Sequence, residues 1–298
     1  MARLFLQGCG TALLTPFKGN EVDYATFGAL VDRQVEGGVH FLVPLGTTGE
    51  TPCLSEEERI KVLRTAREHC GGLPVVVGGG TNSLGGTLAS IKLLAPYGVD
   101  AFLIVVPYYN KPTQQGMFEY FRAVAESTDT PVIIYNVPGR TGANINAETT
   151  LRLAEEVENI IAVKEASGKY SQISEIIRNR PEGFSVLSGD DDETLSLMAT
   201  GAQGVISVAS NIAPKAMSAM VNALLRNDIA TARRIHYRLM PLFRNCFIES
   251  NPIPAKAAMA QLGLMENSLR LPLVKASAQT EEIIARTLAD LGPDTFEM

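Results

Sequence analysis

Ile160-Ile161-Ala162-Val163-Lys164 is a run of four apolar residues closed by an amine. A run with no polar alternation is buried on both faces, as strands are in a parallel sheet covered by helices. Strict alternation places Lys164 on the face of Ile160 and Ala162, so its ammonium follows an apolar row inward. Desolvation there disfavours the charged form and lowers the pKa, which is what an amine needs in order to attack a carbonyl. Taken alone, the plainer reading is a lysine that reaches the surface where its strand stops. Reactive side chains at the ends of other strands weigh against it.

Seven more short apolar runs flank this one: Thr11 to Phe17, His40 to Gly46, Pro74 to Gly78, Ala101 to Pro107, Pro131 to Pro138, Phe184 to Gly189 and Gly204 to Val208. Helix-like stretches with turn residues at their edges separate them. Leu54-Ser55-Glu56-Glu57-Glu58, for instance, carries an S-x-x-E capping box that opens a helix ending near Cys70-Gly71-Gly72. Eight β units separated by helices predict an α/β chain of the (β/α)8 barrel class. The rival is a doubly wound open sheet, which usually shows a phosphate-binding glycine fingerprint. Gly78-Gly79-Gly80-Thr81-Asn82-Ser83 does not match G-x-G-x-x-G. After the eighth run the pattern turns all-helical, with helices expected over Pro214 to Arg226, Ile229 to Phe247, Pro254 to Leu262 and Ala276 to Leu291. The expected organisation is a barrel over 1–226 and a helical C-terminal extension over 227–298.

Composition narrows the function. The 298 residues are 46% hydrophobic and 19% charged, ordinary for a globular chain of one large domain. The net charge of -6, with no basic block, argues against nucleic acid as a partner. MARLFLQGCG has one Arg and a short apolar run, too little for a signal peptide, and no apolar stretch reaches membrane-spanning length. A cytoplasmic protein is expected. Cys9, Cys53, Cys70 and Cys246 form no CxxC pair or zinc spacing, and His40, His69 and His236 are as dispersed. Neither a metal site nor a Ser-His-Asp triad is expected.

In a barrel the active site lies at the C-terminal ends of the strands. Those ends carry Gly46-Thr47-Thr48-Gly49-Glu50, Pro107-Tyr108-Tyr109-Asn110, Tyr135 through Thr141, Lys164-Glu165 and Ser188-Gly189-Asp190. They offer one amine, phenols, hydroxyls, a guanidinium and glycine turns with exposed N–H groups. An amine condenses with a 2-oxo acid to an imine, which acts as an electron sink when protonated. A phenol shuttles protons, while hydroxyls and N–H groups hold the carboxylate. The resulting enamine attacks an aldehyde, and no cofactor is required. Two plainer readings compete: Tyr108 and Tyr109 as packing aromatics, and Asp190-Asp191-Asp192-Glu193 as acids placed by a helix dipole. The acids are read as structural.

The motifs GTTGE (46–50), PYYNKP (107–112), YNVPGRTG (135–142), VKEASG (163–168), LSGDD (187–191), GVISV (204–208) and NPIPAK (251–256) occur in an order that resembles the 4-hydroxy-tetrahydrodipicolinate (dihydrodipicolinate) synthase family of pyruvate-dependent Schiff-base lyases. The resemblance implies that Lys164 forms the imine and that Tyr135 moves protons, with Thr47 and Tyr109 completing a relay. It implies that Tyr109 serves a neighbouring subunit, that Thr48 and Ile206 contact pyruvate, and that Arg140 binds the carboxylate of the incoming aldehyde. A planar bidentate donor suits that last task.

The implied reaction condenses pyruvate with L-aspartate 4-semialdehyde in a homotetramer built as a dimer of dimers. The alternatives are an N-acetylneuraminate lyase, a 2-keto-3-deoxy sugar acid aldolase, or a barrel that keeps pyruvate binding only for regulation or scaffolding. The resemblance also implies a lysine-feedback site, at which Asn82 and Tyr108 fit. Gly86 stands where a glutamate is expected, and Glu56 and Arg59 replace histidines. Feedback by lysine is therefore expected to be weak or absent.

Overall fold

The computed structural model describes residues 4–292 and Thr295. Met1, Ala2 and Arg3 of the N-terminal stretch, and residues 293, 294 and 296–298 of the expected extension, lie outside the described residues. Strands that pair in parallel alternate with helices: β1 (Gly8–Ala12), β2 (Phe41–Val43), β3 (Val76–Gly78), β4 (Ala101–Val105), β5 (Val132–Asn136), β6 (Ile160–Glu165), β7 (Ser185–Ser188) and β8 (Gly204–Ser207). A short antiparallel ribbon joins Phe17–Lys18 to Glu21–Val22. The fold class is the (β/α)8 barrel, followed by C-terminal helices over Ile229–Asn245, Ile253–Gln261 and Ala278–Leu291. These lie close to the expected spans.

Helix starts follow their caps. The Ser55 Oγ accepts from the Glu58 N–H at 3.2 Å, and Glu58 Oε2 accepts from the Ser55 N–H at 2.8 Å. This reciprocal box satisfies two donors that the first turn of Glu56–His69 leaves without intrahelical acceptors.

The chain forms two compact units. One runs from Val76 to Ile206 with the N-terminal residues up to Gln7; the other takes Gly8 to Val75 and everything from Ser207 onward. In the first unit, β3 through β8 lie side by side in chain order. Phe102, Phe118, Phe121, Ile134 and Val163 are fully or almost fully buried there. Each such side chain contributes about 1.5–3 kcal/mol through burial.

The register between β5 and β6 has an irregularity that matters. Val132 pairs with Ile160 but Ile133 pairs with Ala162, so Ile161 is skipped and Tyr135 comes to lie beside Lys164. An even register from the same start would set Tyr135 against Val163.

In the second unit, β1 pairs with β2, Gly10 opposite Phe41. Here the expected first strand, Thr11 to Phe17, is displaced: the strand is Gly8–Ala12, and Leu13 and Leu14 are buried without belonging to it. A Cβ at Gly10 would meet the Phe41 ring at 2.0 Å. The glycine is there so that an aromatic ring can lie against the strand.

Candidate active site

Lys164 is the fifth of the six buried residues of β6 and is only 5% exposed. Its ammonium lies 4.3 Å from the centroid of the Tyr135 ring. Among the described residues it has no hydrogen-bond or ion-pair partner. The bulged register brings the amine and the phenol together, which is the pairing that imine chemistry asks for.

Two carboxyl groups of the same unit follow in the chain, and one of them, Asp190, feels the charge of this lysine. Glu165, the next residue, is fully buried. Its Oε1 accepts from Asn136 Nδ2 at 2.6 Å, and its Oε2 accepts from Gln172 Nε2 and Ser167 Oγ, each at 3.0 Å. Burial pushes Glu165 up to about 7 against the pull of those donors. Asp190 follows β7. Burial, and then the neighbouring Glu193 carboxylate, push it up to about 6, while Lys164 pulls it the other way. The helix after the acidic run starts only at Thr194 and has no acid in its first turn. The acidic run directly precedes that helix, with Glu193 at its N-cap, and Asp190 also lies in the field of Lys164. The sequence placed both at strand ends, where Asp190 is read as structural and Glu165 is given no role.

Ile206 is fully buried in β8. Arg140 is exposed on the one-turn helix Pro138–Thr141. Tyr109 is 87% exposed, which rules out the packing reading for this ring within the chain. Its φ is +77°, a left-handed conformation that is strained for a non-glycine residue. The Tyr109 N–H donates to the Thr141 carbonyl at 3.3 Å, tying this loop to the turn that carries Arg140.

Thr47 and Thr48 belong to the second unit, on the 3-10 turn Thr47–Gly49 that follows β2. Thr47 is exposed and Thr48 is buried. Thr15 Oγ1 donates to the Gly49 carbonyl at 2.8 Å and Thr51 Oγ1 to the Gly46 carbonyl at 3.0 Å, closing the turn from both sides. Behind it lies a second buried lysine. Lys256 pairs with Glu50 at 2.5 Å, both side chains being fully buried. Among the described residues, no group of three or more His, Cys, Asp or Glu side chains could hold a metal ion.

A sequence model of the Dihydrodipicolinate synthetase family matches residues 5–291. The chain is 49% identical to the 4-hydroxy-tetrahydrodipicolinate synthase of Koribacter versatilis over 96% of both chains. It is 47% identical to that of Parabacteroides distasonis, covering 98% of this chain and 99% of the relative. The crystal structure of dihydrodipicolinate synthase from Thermotoga maritima matches with a TM-score of 0.95 at 42% identity, covering 97% of this chain and 99% of that one.

Proposed function

The chain belongs to the dihydrodipicolinate synthetase family, and we propose that Lys164 is the amine through which it works. Its activity is that of a 4-hydroxy-tetrahydrodipicolinate synthase, a lyase whose substrates are pyruvate and L-aspartate 4-semialdehyde. The sugar-acid lyase alternative is not favoured by these relatives. The observation that carries the proposal is the pairing of a buried, unpartnered ammonium with the Tyr135 ring at 4.3 Å.

The unprotonated Nζ of Lys164 attacks C2 of pyruvate, and the carbinolamine loses water to give an imine. The Tyr135 phenol carries protons to and from the developing oxygen and nitrogen, with Thr47 and Tyr109 as the other members of the relay. A C3 proton leaves, and the enamine carbon bonds to the aldehyde carbon of the semialdehyde. The substrate's own amine then displaces Lys164, closing the ring and freeing the enzyme. One water is lost overall. In this reading Thr48 and Ile206 contact pyruvate, and Arg140 holds the carboxylate of the semialdehyde.

Tyr109 supports the oligomeric part of the proposal. An exposed ring on a strained, tethered loop has no work to do inside its own chain, so we assign it to a neighbour's relay within a homotetramer. Among the described residues no helix is long and apolar enough to cross a membrane, and a cytoplasmic location is proposed with the rest.

Borohydride reduction with pyruvate tests the lysine. The expected result is a stable label on the peptide containing Lys164, with loss of activity. A label that persists in Lys164→Ala overturns the assignment.

A further inference from the structure

Thr48 has an unusual companion. The Asn251 Nδ2 donates to Thr48 Oγ1 at 3.0 Å, across 203 positions of sequence and out of contact with solvent. Asn251 is itself only 4% exposed, and its Oδ1 is buried with no hydrogen-bond partner among the described residues. A buried amide that leaves its own acceptor unsatisfied is unfavourable. It is retained here for the one bond it makes.

That bond has a direction. A threonine hydroxyl has one proton to give and two lone pairs with which to accept. With the amide donating into one lone pair, the Thr48 proton turns away from Asn251 towards another acceptor. We infer that Asn251 is a positioning residue that fixes the polarity of the Thr48 hydroxyl, making it a donor to the carboxylate of pyruvate. The inference rests on the proposed contact between Thr48 and pyruvate and adds the group that sets its sense.

The surrounding segment is built to hold that alignment. Glu50, two residues beyond Thr48, adopts a left-handed φ of +53°. Its Oε1 pairs with Lys256 at 2.5 Å, and its Oε2 accepts from the Arg270 N–H at 3.1 Å. Lys256 also donates to the Ser268 carbonyl at 2.9 Å. Residues 251 to 270 thus grip the 47–50 turn at two points, one of them the hydroxyl itself. A contact meant only for packing would need neither the amide nor its orphaned oxygen.

The test is a double-mutant cycle read by steady-state kinetics. Asn251→Ala should raise KM for pyruvate about tenfold, the worth of one misdirected hydrogen bond, and leave KM for the semialdehyde unchanged. Thr48→Val should raise the same KM, and in that background Asn251→Ala should add nothing. Asn251→Asp keeps the shape but only accepts, so it draws the Thr48 proton to itself. It should raise KM for pyruvate at least as much, which guards against an alanine variant that misfolds.

Multiplying rather than merging effects would show Asn251 acting independently of Thr48 and would overturn the inference, as would a normal pyruvate KM in Asn251→Asp. A normal pyruvate KM in Thr48→Val would instead remove the contact itself. The two failures are read from different variants.

Discussion

Lys164 and Lys256 are both buried lysines, and the chain treats them in opposite ways. Lys256 is wholly enclosed, and each of its interactions is satisfied: Glu50 at 2.5 Å, the Ser268 carbonyl at 2.9 Å and the face of Phe17 at 4.1 Å. Lys164 has the Tyr135 ring at 4.3 Å and no bonded counter-ion among the described residues. An ammonium locked by a carboxylate is a strut, because freeing its lone pair would strand a buried anion. One that faces only a ring has no bonded anion to hold it in place. Burial alone does not make a lysine a nucleophile. The partner decides.

The sharpest way to break this contrast is to remove each lysine in turn. Lys164→Ala should lower kcat by at least about 10⁴-fold, the scale seen when a nucleophile is deleted. The urea midpoint should hardly move, since no bonded partner is left behind. Lys256→Ala should do the reverse: a loss of about 3–5 kcal/mol in urea unfolding, because Glu50 becomes an uncompensated buried charge. A stable Lys256→Ala protein would mean that the pair is not the strut described here.

The carboxyl beside Lys164 sharpens the same contrast through pH. Glu165 titrates at about 7 in the fold against an ordinary 4.5, so the folded chain holds its proton more tightly than the unfolded one. Its contribution to stability is fully present below pH 4.5 and is lost as the pH rises through about 7. Glu165→Gln should flatten the stability profile across that window by about 3 kcal/mol. Urea midpoints at several pH values check this, and an unchanged slope would place the carboxyl in water.

The smallest effect concerns a third ammonium, that of free L-lysine. Lys256 shows what such a group needs when enclosed, namely a carboxylate at bonding distance. At the feedback position implied by the resemblance, Gly86 offers none. Arg59, which stands in place of a histidine, carries a like charge, and its Nε donates to the Leu54 carbonyl at 3.2 Å. Initial rates should change little in millimolar L-lysine, and a sub-millimolar midpoint would show that another residue supplies the acid.

How far the sequence carried can be seen at single residues. The alternation of apolar runs and capped helices was legible because parallel strands and amphipathic helices have different periods, and Ser55 with Glu58 announced its helix in four letters. The first strand was misplaced because Gly8-Cys9-Gly10 forms no apolar run, and only the Phe41 ring packed on it shows why Gly10 stands there. Lys164 stood out as an amine closing an apolar run, whereas Lys256 sat in a quoted motif with nothing to mark it as enclosed. Asn251 was invisible as a companion of Thr48, since 203 positions separate them and no local pattern encodes the contact.

The sequence by itself determined the periodicities, the caps, the order of motifs and the amine at the end of a buried strand, because all of these are local properties of a chain. Tertiary structure alone decided which buried lysine has a carboxylate and which has a ring. It decided that a single skipped residue, Ile161, turns Tyr135 towards Lys164 instead of Val163. It also decided that Asn251 reaches Thr48 and that burial lifts Glu165 to about 7. These are differences in solvation and in distance between residues far apart or on separate strands, and they have no value until the chain has folded.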